Sequence, residues 1–108
     1  MPKYLIQASY IAEGFKGLVK DKAAGRKAAV QAAVKSVKGK LDCLYFSLRA
    51  DDVVLIVNMP DTIAVAAFAA SVAATGMVRP RTTTLLTVDE VDQALGLPAK
   101  YRGPGQEK

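Results

Sequence analysis

Between Lys3 and Tyr10 the chain alternates, with Tyr4, Ile6, Ala8 and Tyr10 on one side and Leu5, Gln7 and Ser9 on the other. A period of two predicts a strand. Ala12–Lys20 then reads as a short helical turn region loosened by Gly14 and Gly17, followed by a loop over Asp21–Gly25. From Arg26 to about Lys38 the pattern becomes helical: Val30, Ala33, Val34 and Val37 recur at i, i+3, i+4 and i+7. Gly39 is placed to stop that helix with a left-handed residue.

Two strand-like runs follow, Leu41–Leu48 and Val53–Asn58, joined by the charged link Arg49-Ala50-Asp51-Asp52. Composition and length predict a β-hairpin, on which both halves of the chain pack. Its first strand sets Leu44, Phe46 and Leu48 against Leu41, Cys43, Tyr45 and Ser47; its second is apolar on both faces. Asp61 is a natural N-cap for a second helix that Gly76 closes. That helix is so rich in alanine that burial on more than one side is expected. A fourth strand runs from about Val78 to Leu86, with Pro80 arguing for an edge or a strand start. Thr87-Val88-Asp89-Glu90 is a capping box opening a short third helix that stops at Gly96 and Pro98.

The order β-α-β-β-α-β plus a terminal helix predicts a ferredoxin-like α+β sandwich with a four-stranded antiparallel sheet. It occupies residues 1–98 as one domain, with a loose tail over 99–108. Two helices can cover only one face of the sheet. The apolar residues on the other face predict a second copy packed sheet to sheet, and so a homodimer or a multiple of dimers.

Composition narrows the chemistry. The 108 residues are 51% hydrophobic and 23% charged, enough for one globular core. Histidine is absent and Cys43 is the only cysteine, which removes Ser-His and Cys-His catalysis, His- or Cys-paired zinc sites and internal disulfides. No metal or cofactor is called for. The N-terminus lacks the apolar core of a signal peptide, so a cytoplasmic location is expected. Ile63–Ala74 falls short of the ~20 residues that span a bilayer, and no membrane partner is expected. The net charge of +5 is concentrated: eight Lys/Arg lie between Lys16 and Lys40, with Asp21 the only acid there. That region can attract anions or serve as a solvated helix face.

The ordered pieces Glu13-Gly14-Phe15-Lys16-Gly17-Leu18, Gly25-Arg26, Gly39-Lys40-Leu41, Asp52-Val53-Val54, Pro60-Asp61, Gly76, Thr82-Thr83-Thr84 and Leu86-Thr87 resemble the GYD domain family. These are small bacterial and archaeal proteins placed among the dimeric α+β barrels. The resemblance runs from Pro2 through Val91 and implies the fold and a dimeric barrel, with no established activity. The family's Gly-x-Tyr-Asp signature aligns with Arg49-Ala50-Asp51-Asp52, where only Asp52 matches. Any chemical role of the signature tyrosine is therefore lost here.

Three groups of residues can carry chemistry. Asp51 and Asp52 beside Arg49 suit acid–base work, Mg²⁺ binding or simple turn geometry. Adjacent strand positions point to opposite faces, so only one carboxylate can line a pocket; Asp52 is favoured because it matches the family position. Tyr4, Tyr10 and Tyr45, with Arg79 or Arg81 to fork a carboxylate, can form a pocket on the sheet or serve as core and interface residues. Gly25, Arg26 and Lys27 at a helix start offer free N–H groups and cations to an anion.

The leading expectation is a homo-oligomeric module that binds a small apolar or anionic ligand or a partner. The alternative is a cofactor-free isomerase or oxygenase, with Asp52 as base, its pKa raised by burial, and Tyr45 or Tyr10 with Arg79 or Arg81 as polarising groups. RNA-recognition motifs share the element order, but strand three, VVLIV, has no aromatic to stack a base. No nucleic-acid partner is expected.

Overall fold

The computed structural model describes residues 1–106; the expected loose tail over 99–108 lies partly outside them. The elements run β1 (Lys3–Tyr10), α1 (Ala12–Ser36), β2 (Lys40–Phe46), β3 (Val53–Asn58), α2 (Thr62–Ala74), β4 (Val78–Leu85) and α3 (Val88–Leu95). The strands form one antiparallel sheet in the order β2-β3-β1-β4. This is an α+β architecture compatible with the ferredoxin-like fold. No described helix is long and apolar enough to cross a membrane.

The register explains the core. Ile6 sits opposite Leu55 and Thr82, and Ala8 opposite Val53 and Pro80. Directly opposed residues share a face, so Tyr4, Ile6, Ala8, Val53, Leu55 and Val57 line one side of the sheet. Val34 of α1 and Val65 and Phe68 of α2 pack on that side, and Met59 completes the cluster. Asp61 caps α2 by accepting from the Ala64 N–H at 2.8 Å. Gly76, at φ 73°, ends it where a side chain would be strained.

Four expectations are corrected. The loop expected at Asp21–Gly25 shrinks to a single residue: two helical segments meet at a kink where Lys22 leaves helical geometry (φ 67°, ψ 163°), and together they form α1. Its far end turns at Lys38 (φ 64°), not at Gly39. Gly39 is needed for another reason: a Cβ there would lie 2.6 Å from Met59 Sδ and 2.9 Å from the Asn58 carbonyl. Leu41 was expected on the same face as Cys43 and Tyr45. A bulge between Leu41 and Cys43 leaves Asp42 unpaired against β3, which turns Leu41 inward against the core. Finally, α2 buries one side only. Val65 and Phe68 are buried, while Ile63, Ala66, Ala67 and Ala70 are exposed.

The other face of the sheet is open. Leu5 lies between Ile56 and Thr83, Gln7 between Val54 and Arg81, and Cys43 and Tyr45 extend these rows onto β2. Both core helices pack on the opposite side, and α3 contains no buried residue. Among the described residues, then, no helix covers this face. Its centre is apolar (Leu5, Val54, Ile56), as patterning of β3 on both sides requires. The outer strands differ in character: β4 presents Arg79, Arg81 and Thr83 here, and β2 presents Cys43 and Tyr45.

Candidate functional site

The β2–β3 link holds its two carboxylates apart, as strand parity predicts. The Asp52 N–H donates to the Ala8 carbonyl at 2.8 Å, and Asp52 Oδ2 accepts from the Tyr10 N–H at 2.8 Å. Pairing of β1 with β3 ends at Ala8 and Val53, so this carboxylate replaces the missing strand partner and ties the hairpin to the end of β1. Asp51 points to the open face. It pairs with Arg81, while Ser9 Oγ donates to the Ala50 carbonyl at 3.0 Å and approaches Asp51 Oδ1 at 3.4 Å.

Beside the link lies an open cleft of about 730 Å³. Phe15, Leu18, Val19, Lys22 and Ala23 of α1 form one wall; Phe46, Ser47, Leu48, Arg49 and Asp52 form the other. Phe15, Val19 and Leu48 are exposed although apolar, with Val19 at 72%. Lys22 and Arg49 are the cations of the lining and Asp52 its one anion. Neither cation forms an ion pair with a described residue. Such a space can enclose an apolar body and meet a carboxylate, sulfonate or phosphate at its mouth.

A second cleft of about 290 Å³ lies between α1 and the α2–β4 turn and contains Tyr10, Asp21 and Arg26. Between sheet and helices only about 60 Å³ remains, too little for more than a water or two. A small molecule therefore has no room between sheet and helices, and the larger opening lies at the hairpin end.

The expected site residues separate accordingly. Arg49 and Asp52 share the large cleft. Tyr10 stacks obliquely on Phe15, centroids 5.4 Å apart, and borders the second cleft with Arg26. The tyrosine–arginine pocket does not assemble within one chain. Tyr4 is a core residue, 2% exposed, its hydroxyl 3.1 Å from Thr62 Oγ1. Tyr45, Arg79 and Arg81 stand on the open face. The helix start expected at Gly25, Arg26 and Lys27 falls slightly earlier: the second segment of α1 begins after the kink at Lys22, which places these three residues in its first turns. Arg26 is 3.4 Å from the Asp21 carboxylate, which would compete with an external anion for this guanidinium.

Sequence reasoning missed most of the cleft. Phe15, Leu18 and Val19 stand at i, i+3 and i+4, a helical stripe that the two nearby glycines masked, and Lys22 joins it from the kink. On the open face, a smaller polar group closes the end of the sheet. Lys3 Nζ donates to Asp42 Oδ2 at 2.6 Å and to Asn58 Oδ1 at 2.9 Å, and Asn58 Nδ2 donates to Asp42 Oδ1 at 2.6 Å. The Lys3 hydrogen bond is the main cause that holds the Asp42 carboxyl below its ordinary value; the charges of Lys3 and Lys40 and the Asn58 bond help it to outweigh desolvation. Among the described residues no cluster of three or more potential metal ligands occurs.

No curated protein and no solved structure matches the chain. The GYD domain profile matches residues 4–95, from β1 through the end of α3. The chain belongs to the GYD domain family.

Proposed function

We propose that this protein is a homo-oligomeric binding module that takes a small amphipathic anion, an apolar or aromatic carboxylate or sulfonate, in the cleft between α1 and the β2–β3 link. The observation that carries this reading is the cleft's composition. About 730 Å³ lies within the usual range of small-molecule sites, its walls hold exposed Phe15, Val19 and Leu48, and its two cations form no ion pair with a described carboxylate. Covering those apolar side chains is favourable by about 25 cal/mol per Å² removed from water. Arg49 supplies a fork for a planar anion. The apolar centre of the open face supports assembly with a second copy.

Native mass spectrometry of the freshly purified protein, followed by denaturing analysis of released molecules, tests both halves. The expected result is an oligomer carrying an apolar acid, or an empty oligomer that binds 8-anilinonaphthalene-1-sulfonate with an affinity lowered by Arg49→Ala and Lys22→Ala. Binding of that probe unaffected by both substitutions overturns the site.

The cofactor-free enzyme reading rests on Asp52 lining the same cleft. It is the weaker of the two. Asp52 already holds the Tyr10 N–H; of its polarising groups, Tyr45, Arg79 and Arg81 lie across the sheet and Tyr10 borders the second cleft. Unchanged turnover by Asp52→Asn of any substrate identified would remove Asp52 as the base.

A further inference from the structure

Every residue from Leu86 to Arg102 is exposed, although this stretch contains α3. Helices shorter than ~12–15 residues are marginal in water, and α3 has eight residues. Its capping box, with Glu90 N–H on Thr87 Oγ1 and Thr87 N–H on Glu90 Oε1, contributes about 1 kcal/mol. That does not sustain an isolated helix. Yet Val88, Val91 and Leu95 recur at i, i+3 and i+7 as one apolar stripe, and Leu97 and Tyr101 continue it beyond the helix. The segment stands away from the body: the radius of gyration is 17.5 Å, against about 13 Å for a compact chain of this length.

We propose that Leu86–Tyr101 is an exchanged arm, whose apolar stripe packs over the β2 side of the open sheet face of a second copy of this chain. The inference rests on the homo-oligomeric reading above. Three observations select this occupant and this place. A four-stranded face spans roughly 500 Å², short of the ~800 Å² per partner of a stable interface, and the arm supplies the missing apolar area. Of the two outer strands, β4 offers Arg79, Arg81 and Thr83, whereas β2 offers Cys43 and Tyr45, the latter 69% exposed. The charges also agree: α3 carries Asp89, Glu90 and Asp92 and no cation, while Lys38 and Lys40 stand at the start of β2. With a two-fold axis along the strands, β4 of one copy faces β2 of the other. Each arm then begins beside its acceptor, and the exchange is reciprocal and closed.

The native Cys43 makes this testable. A tagged chain carrying Cys43→Ser and Leu95→Cys is mixed with untagged wild-type chain, equilibrated, and treated with a short bis-maleimide. Leu95 is exposed on the arm and Cys43 stands on the open face outside the core, so these changes leave the domain folded. The expected product is a tagged–untagged adduct that disappears when the untagged chain also carries Cys43→Ser. In sedimentation, Val91→Asp should weaken association about 10-fold or more, since the stripe would then bear a carboxylate. A wild-type monomer at micromolar concentration overturns the oligomer and the arm together. An oligomer that gives no mixed adduct and tolerates Val91→Asp overturns the arm alone, pointing to a different protein as its occupant. With Leu95→Cys in an otherwise native chain, an adduct formed only within that chain shows the arm folding onto its own sheet and also refutes exchange.

Discussion

Lys22 offers a substitution whose effects on stability and on binding have opposite signs. Its backbone (φ 67°, ψ 163°) lies in a region nearly reserved for glycine, at a cost on the order of 1–3 kcal/mol. Its side chain is exposed and forms no ion pair with a described residue, so little is lost by removing it. Glycine relieves the strain but adds about 0.5–1 kcal/mol of unfolded-chain entropy. The net expectation for Lys22→Gly is a gain of about 0.5–2 kcal/mol, which for a domain of this size raises Tm by roughly 2–8 °C. Lys22→Ala also loses the amine but keeps a Cβ, and should leave Tm nearly unchanged. Both variants should bind the sulfonate probe more weakly, because the cation at the cleft mouth is gone. Differential scanning calorimetry beside a fluorescence titration measures the two effects. A Tm that falls or stays level in Lys22→Gly, or rises equally in Lys22→Ala, would refute the argument from backbone strain.

Other outcomes follow from the packing and polar groups. Gly39→Ala places a methyl against fully buried Met59 and Val34 and should destabilise by about 1–3 kcal/mol, measured by urea unfolding. Asp52→Ala strands the Tyr10 N–H and should cost about 1–3 kcal/mol, whereas Asp52→Asn keeps an acceptor and most of the stability; equal losses would contradict the tether. Because Lys3 holds the Asp42 carboxyl below its ordinary value, Asp42 favours folding above its unfolded pKa near 3.8, and that contribution fades as pH falls through the lower folded value. Lys3→Met should therefore flatten the acid end of the stability–pH curve slightly, the pair being partly exposed. A curve unchanged below pH 4 would count against the Lys3 contact.

Local patterning carried far in some segments and failed in others for identifiable reasons. The limits of β1 and β3 are set by strict alternation and by an apolar run bounded by Asp52 and Asn58, and both were legible. So was the Asp61 cap, whose bond spans three residues. The bulge at Asp42 was not, because an unpaired residue is decided by what lies across the ladder. Missing it put Leu41 on the wrong face. The α2 helix was expected to be enclosed because alanine counts as apolar. A surface of methyl groups contributes little when buried, and one side of α2 stays in contact with water. In the candidate site, Arg49 and Asp52 were legible from the charged link and the family pattern. Phe15 and Val19 were not, since Gly14 and Gly17 weakened the helical reading of Ala12–Lys20, and Lys22 fell within the loop expected over Asp21–Gly25. Tyr4, Tyr45 and the two arginines were grouped by chemical type. Which side of the sheet each occupies depends on pairing between strands distant in sequence.

Both borders of the sheet are interrupted: Pro80 removes a donor from β4, and Asp42 sits in a bulge of β2. Exposed borders invite strand-by-strand addition, which has no natural end and leads to fibres. Here such growth is discouraged on either side, while the broad apolar surface between the borders stays accessible. A flat surface used once, face to face, is consumed when two molecules meet. The same interruptions that cost this sheet regularity thus disfavour open-ended growth, and a variant with Pro80 replaced by valine and Asp42 deleted should lose that protection, forming thioflavin-positive aggregates at concentrations where the natural chain stays clear.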